Sequence, residues 1–145
     1  MRHRISERRQ KQRGAVFLET GLIFVVFAFM LMGAFDFAQF LFIHQALVDR
    51  ARTSARWGAV NDPTNTTAIQ NMVLYNQSST PAVGTSGVFG LTSDMVSVTT
   101  SDSGTDNYRL TVVIRNYPYY VFSPTIAGTY TGPNISISIP LGLNS

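Results

Sequence analysis

The chain contains no cysteine. This excludes a disulfide framework, a thiolate metal site and a cysteine nucleophile, while an oxidising compartment stays open because disulfides there are optional. Other catalytic side chains are scarce. From residue 58 onward the charged residues are Asp62, Asp94, Asp102, Asp106, Arg109 and Arg115, with neither histidine nor glutamate. These residues supply no Ser/His/Asp set, metal-spaced cluster or phosphate-cradling glycine loop. No enzymatic activity, metal or cofactor is therefore expected. Most of these aspartates crowd around one turn and suit turn geometry, with Asp102 and Asp106 at most a weak cation site.

Positive charge is also scarcer than the total implies. The formal charge is +3 and the sequence pI about 9.6, but Arg2, Arg4, Arg8, Arg9, Lys11 and Arg13 all lie in residues 1–14, opposed there by Glu7 alone. That segment carries +5 and the remainder −2. The high pI therefore describes a tail, not a basic groove, and no nucleic-acid partner is expected.

Long apolar runs, in contrast, are present. Residues 15–43 read AVFLETGLIFVVFAFMLMGAFDFAQFLFI, with no charge between Glu19 and Asp36. A spanning helix needs about 20 apolar residues at about 1.5 Å each, and residues 22–41 supply that length if Asp36 sits near an interface. Six basic residues precede the span and only Arg50, Arg52 and Arg56 follow closely, so the N-terminus is expected in the cytoplasm and the C-terminal part outside it. No A-x-A-like site follows the apolar run, which speaks against ordinary signal cleavage. Lipid is thus an expected partner.

Glu19 is out of place at the cytoplasmic end of such a helix, where a deeply placed ionised acid costs up to about 3.5 kcal/mol. Its side chain either snorkels to the headgroups or has a specific partner. Asp36 is open to three roles: an interfacial residue, a pairing partner for another subunit, or a cap on the hydrophobic span. Ile43, Leu47, Ala51, Ala55 and Gly58 recur every three or four residues and form a narrow stripe that a sheet can approach closely. Asp49, Arg52 and Arg56 mark the opposite, solvated face. His44 is read as an interfacial polar anchor.

Trp57-Gly58-Ala59 is expected to close the long helix, and Asp62-Pro63 to open a short one as N-cap and first helical residue, reaching Asn76. Residues 78–93 (SSTPAVGTSGVFGLTS) read as a surface loop. Residues 95–100 and 108–117 read as strands joined through Asp102-Ser103-Gly104. Ile135-Ser136-Ile137-Ser138-Ile139 alternates strictly and reads as a third strand ended by Pro140. Tyr117, Tyr119, Tyr120, Phe122 and Tyr130, interspersed with prolines, read as an aromatic loop that either forms a binding surface or, the favoured reading, covers an open sheet edge. The fold class is α+β: a long N-terminal transmembrane helix continuing into a small exported domain with one short helix and a roughly three-stranded antiparallel sheet. The expected organisation is a basic leader (1–14), a long helix (15–57) and an exported domain (58–145).

Arg13-Gly14-Ala15-Val16-Phe17-Leu18-Glu19, a basic leader ending in glycine followed by four apolar residues, glutamate and a hydrophobic helix, resembles a type IV prepilin processing site. Phe35-Asp36-Phe37, Gln45-Ala46-Leu47, Ala51-Arg52, Ala55-Arg56 and Trp57 extend the resemblance to the TadE-like minor pseudopilins of Flp (tight adherence, Tad) pilus systems. The resemblance implies cleavage between Gly14 and Ala15 by a prepilin peptidase, assembly through Glu19 and Asp36, and a helix motif at Arg52, Arg56 and Trp57. It implies partners among other pilins and the pilus assembly platform. It also implies a location in the bacterial inner membrane with a periplasmic C-terminal domain, and incorporation into a pilus. Thr20 stands where many Flp pilins carry tyrosine, and the chain is longer than theirs, which points to an accessory subunit that assembles or primes the filament. The alternative is an uncleaved, membrane-anchored binding module of a secretion or adhesion apparatus.

Overall fold

The structure, a computed structural model, describes residues 3–123 and 126–141, with side chains described from Val16 onward. Pro63 is the first proline in the chain, so nothing before it deprives a helix of a backbone donor. Helix α1 accordingly runs without interruption over His3–Asn61, 59 residues and about 90 Å at 1.5 Å per residue. It passes through Trp57-Gly58-Ala59, where the sequence pattern had placed its end. It stops at Asn61, whose side-chain amide donates to the Trp57 carbonyl at 2.9 Å. By length and composition α1 is able to cross a membrane.

The second helix starts later than expected. The Asp62 carboxylate accepts from the Thr64 amide at 2.9 Å and the Thr64 hydroxyl at 2.7 Å. These two bonds, the hydroxyl first, hold its pKa below the ordinary value. With Asp62 engaged in this turn, Asn65 becomes the cap of α2 (Thr66–Tyr75), accepting from the Ala68 amide at 3.1 Å. Pro63 therefore lies in the connecting turn and not at the first helical position. Asn76, with φ 59°, closes α2 by donating its amide to the Met72 carbonyl.

Three antiparallel strands follow the expected pattern: β1 (Val96–Ser101), β2 (Arg109–Ile114) and β5 (Ile135–Pro140), in the order β1-β2-β5. Val112 faces Val98 on one side and Ile137 on the other. Its neighbour Thr111 lies on the opposite face and donates to the Ser138 hydroxyl at 3.2 Å. The period-2 alternation thus turns Leu110, Val112, Ile114 and Ile135 into the core. The turn aspartate Asp102 has φ 55°, and its carbonyl accepts from the amide and hydroxyl of Thr105.

Two expectations need correction here. The strand expected over 108–117 ends at Ile114, because Asn116 takes a left-handed conformation, φ 54°, and turns the chain. Tyr117 is thereby driven into the core, fully buried. The aromatic segment beyond it is not an irregular loop. It forms a hairpin, β3 (Pro118–Val121) with β4 (Gly128–Thr131), a two-stranded sheet separate from β1-β2-β5 among the described residues.

The core lies where α1 meets the sheet. Leu47, Ala51 and Ala55 are fully buried and Ile43 nearly so, as the narrowing stripe predicts. The stripe ends at Gly58, where an added Cβ would lie 2.5 Å from Ile69 Cδ1 and 3.0 Å from Leu110 Cδ2. Hydrogen in place of a side chain lets α1 approach both α2 and β2 at this point.

Candidate functional site

The N-terminal half of α1 carries large apolar side chains with nothing against them. Phe17, Leu18, Phe24, Met30 and Phe35 are each about 70% exposed or more. Glu19 is on this stretch, exposed, with no hydrogen-bond or ion-pair partner among the described residues. Thr20 returns its hydroxyl to the Val16 carbonyl at 2.9 Å, so its polarity is satisfied within the helix. Gly14 and Ala15 are part of α1 by backbone, but their side chains, like those of the basic leader, are outside the described residues.

Asp36 is about 25 Å further along the helix axis, seventeen residues at 1.5 Å each, and the structure does not bring it near Glu19. Its two carboxylate oxygens accept from consecutive backbone amides at the end of β3, Phe122 at 2.7 Å and Ser123 at 2.9 Å. One turn on, Phe40 packs against Tyr119 with ring centroids 4.9 Å apart. One turn beyond that, His44 Nδ1 shares a hydrogen bond with the Tyr117 hydroxyl at 2.8 Å. These three contacts form a ladder. The helix contributes every fourth residue, the other side contributes Tyr117, Tyr119 and then the paired amides just beyond β3, and β3 runs antiparallel to α1.

The ladder is absent from the sequence reading, although its periodicities are present there. Asp36, Phe40 and His44 recur every fourth residue and join the Leu47–Ala51–Ala55 stripe through a step of three. Tyr117 and Tyr119 alternate as strand residues do. His44 is therefore more than an interfacial anchor, since it partners a tyrosine at the centre of the core.

Arg52 and Arg56 are exposed beside the buried stripe of α1, next to β5 and not on a wholly solvated opposite face. Arg52 lies 3.8 Å from Asp49, both largely exposed, a pair worth well under about 1 kcal/mol. Together with Ser136 to Ile139 of β5 the two arginines line an open cleft of about 480 Å³. Trp57 is half-buried against the core. Among the described residues no group of three histidine, aspartate or glutamate side chains is placed to hold a metal ion.

The two amides on Asp36 make its truncation informative. Hydrogen bonds to a charged acceptor contribute about 1.5–3 kcal/mol each when buried and less when solvent reaches them. Asp36→Ala is expected to cost about 2 kcal/mol, seen as faster hydrogen exchange at Phe122 and Ser123 with β1-β2-β5 still protected. Asp36→Asn, which keeps one acceptor oxygen, should fall between the two.

Compared with known proteins, residues 14–56 match the family model described as TadE-like protein. No curated protein and no solved structure matches the chain significantly. The family match covers the bare stretch of α1 from Gly14, the ladder residues on the helix and the stripe as far as Ala55, and stops short of the sheet.

Proposed function

From a chain whose residues 14–56 are TadE-like, we propose a minor pilin or pseudopilin that assembles or primes a Flp-type (Tad) pilus, structural and non-enzymatic. The family match over residues 14–56 supports an association with Tad pilus systems. The observation that carries the finer reading is the bare apolar half of α1 with one acid on it, joined without a break to a small packed domain. Uncovered apolar surface of that length requires lipid or other helices around it. A filament subunit meets both, first in the membrane and then in a bundle of like helices.

In this reading the basic leader stays in the cytoplasm and the sheet domain faces the periplasm. A prepilin peptidase cuts between Gly14 and Ala15, and the new α-amine at Ala15 becomes the cation that Glu19 of a neighbouring subunit attracts. Within a low dielectric an opposite charge about 4–6 Å away favours the ionised carboxylate. Such a pair sets axial register more than it adds stability. Arg52, Arg56 and Trp57 belong to the emerging helix that carries the domain, and the partners are other pilins, the assembly platform and the peptidase.

Intact-mass analysis of protein extracted from its native membrane tests the processing step. The expected mature chain begins at Ala15. A full-length population still carrying Met1 to Gly14 in piliated cells would overturn it and favour the uncleaved anchored module.

A further inference from the structure

We infer that the tip of the β3–β4 hairpin, the end that carries Phe122 and Ile126, is a second membrane contact, seated in the headgroup layer of the outer leaflet beside α1. The inference rests on the membrane reading above and adds to it a lipid-facing surface on the exported domain. Three observations converge on the hairpin. The first is direction: the ladder carries β3 from the level of His44 down to that of Asp36, toward the apolar half of the helix.

The second is composition. Among the described residues after Phe42, the exposed large hydrophobic side chains are Val60, Val83, Tyr120, Phe122, Ile126 and Tyr130, and four of these six are on the hairpin. Tyr120 and Phe122 meet edge-on at 4.7 Å with Phe122 64% exposed. Residues 117–134 include no aspartate, glutamate, lysine, arginine or histidine. Such a tip enters the interface without desolvating a charge, and tyrosine rings favour that layer.

The third is depth. Residues 16–35 form a run of twenty, about 30 Å long, the thickness of a hydrocarbon core. With the outer boundary at Asp36, the hairpin tip meets the headgroups. A span over 22–41 would instead move the boundary six residues further, to Phe42, and carry the same amides about 9 Å into hydrocarbon, where open-edged two-stranded pairing is not sustained. The geometry therefore favours the frame 16–35. It also gives Asp36 a reason to be acidic, since it satisfies two amides at the boundary where water becomes scarce.

The absence of cysteine permits a direct test. Single-cysteine variants Phe122→Cys, Phe29→Cys and Val83→Cys of the full chain, nitroxide-labelled and reconstituted in phosphatidylglycerol/phosphatidylethanolamine vesicles, are compared by collision with oxygen and with a water-soluble nickel chelate. The expected result is a label at 122 favouring oxygen, at shallower depth than 29, while 83 favours nickel. A label at 122 that behaves like 83, with 29 still in lipid, overturns the hairpin contact and leaves the span standing. Exclusion of both reagents at 122 means that protein covers the tip, and also overturns the inference. Nickel access at 29 removes the span and the inference together. Tyr120→Cys supplies a second position should labelling at 122 disturb the hairpin.

Discussion

Replacing Gly132 with alanine is expected to destabilise the sheet domain by about 3 kcal/mol or more, a large share of what a small domain has. The added Cβ would overlap Cζ, Cε2 and Oη of Tyr117. Neither partner has room to retreat. The Tyr117 ring is fully buried, its hydroxyl is tied to His44 Nδ1 at 2.8 Å, and the Gly132 amide donates to the Tyr117 carbonyl at 2.8 Å. A rigid ring does not yield as the end of an aliphatic chain does. Thermal melting of the full chain in detergent should show a drop of several degrees or loss of the transition. If the ring clash is the cause, the penalty should shrink in a Tyr117→Ala background, so the two substitutions should be non-additive. An equal penalty in both backgrounds would assign the cost to the backbone of residue 132 instead.

Tyr117 also gives the domain a pH limit at the alkaline end. Burial, and secondarily the neighbouring Tyr119, hold its hydroxyl above the ordinary value of 10.0. A group whose folded pKa is raised contributes stability that is present below the unfolded value and lost as pH rises toward the folded one. Stability should therefore fall above about pH 10, and Tyr117→Phe, lacking the ionisable group, should flatten that decline.

Which parts of this architecture are legible in the sequence depends on the range of the interaction that determines them. The apolar run is legible from its length and composition alone, whereas the stripe Ile43–Leu47–Ala51–Ala55–Gly58 and the alternation Ile135–Ile137–Ile139 express burial through a local period, and each is found where the period places it. Short-range competition accounts for the shifted start of α2. Asp62 and Asn65 are both able to cap, and a hydroxyl and amide from Thr64 engage Asp62 first. The hairpin is missed for a different reason. Its prolines and glycines read as loop, and Asn116 gives little warning that the chain turns after Ile114. What holds it is the contact of Tyr119 and the 122–123 amides with α1, across more than 70 residues of sequence. Asp36 is singled out by its oddity in an apolar helix, but the sequence does not identify backbone amides as its partners. Glu19 stands out in the sequence as a lone acid in the apolar run, while its partner in the proposed assembly is on another chain.

That last point sets the second large expected effect. Glu19→Gln should leave the molecule folded and inserted, with an unchanged melting transition of the sheet domain, because Glu19 is exposed on α1 and about 25 Å along the helix from the ladder at Asp36. Pilus yield should nevertheless collapse. Removing one member of a buried ion pair costs about 3–5 kcal/mol, since the remaining charge is left uncompensated in low dielectric. At about 1.4 kcal/mol per tenfold, that is a loss of at least two orders of magnitude in subunit docking. Glutamine retains the shape and a hydrogen-bonding carbonyl, so the loss would report on charge and not on packing. Glu19→Asp, which shortens the reach by one methylene, should retain part of the yield. Counting filaments by electron microscopy, alongside intact mass to follow removal of Met1 to Gly14, separates failed docking from failed processing. Normal filament numbers from the glutamine variant would refute the pairing of Glu19 with a neighbour's Ala15 amine. The bare helix would then be a membrane anchor alone, consistent with an uncleaved binding module.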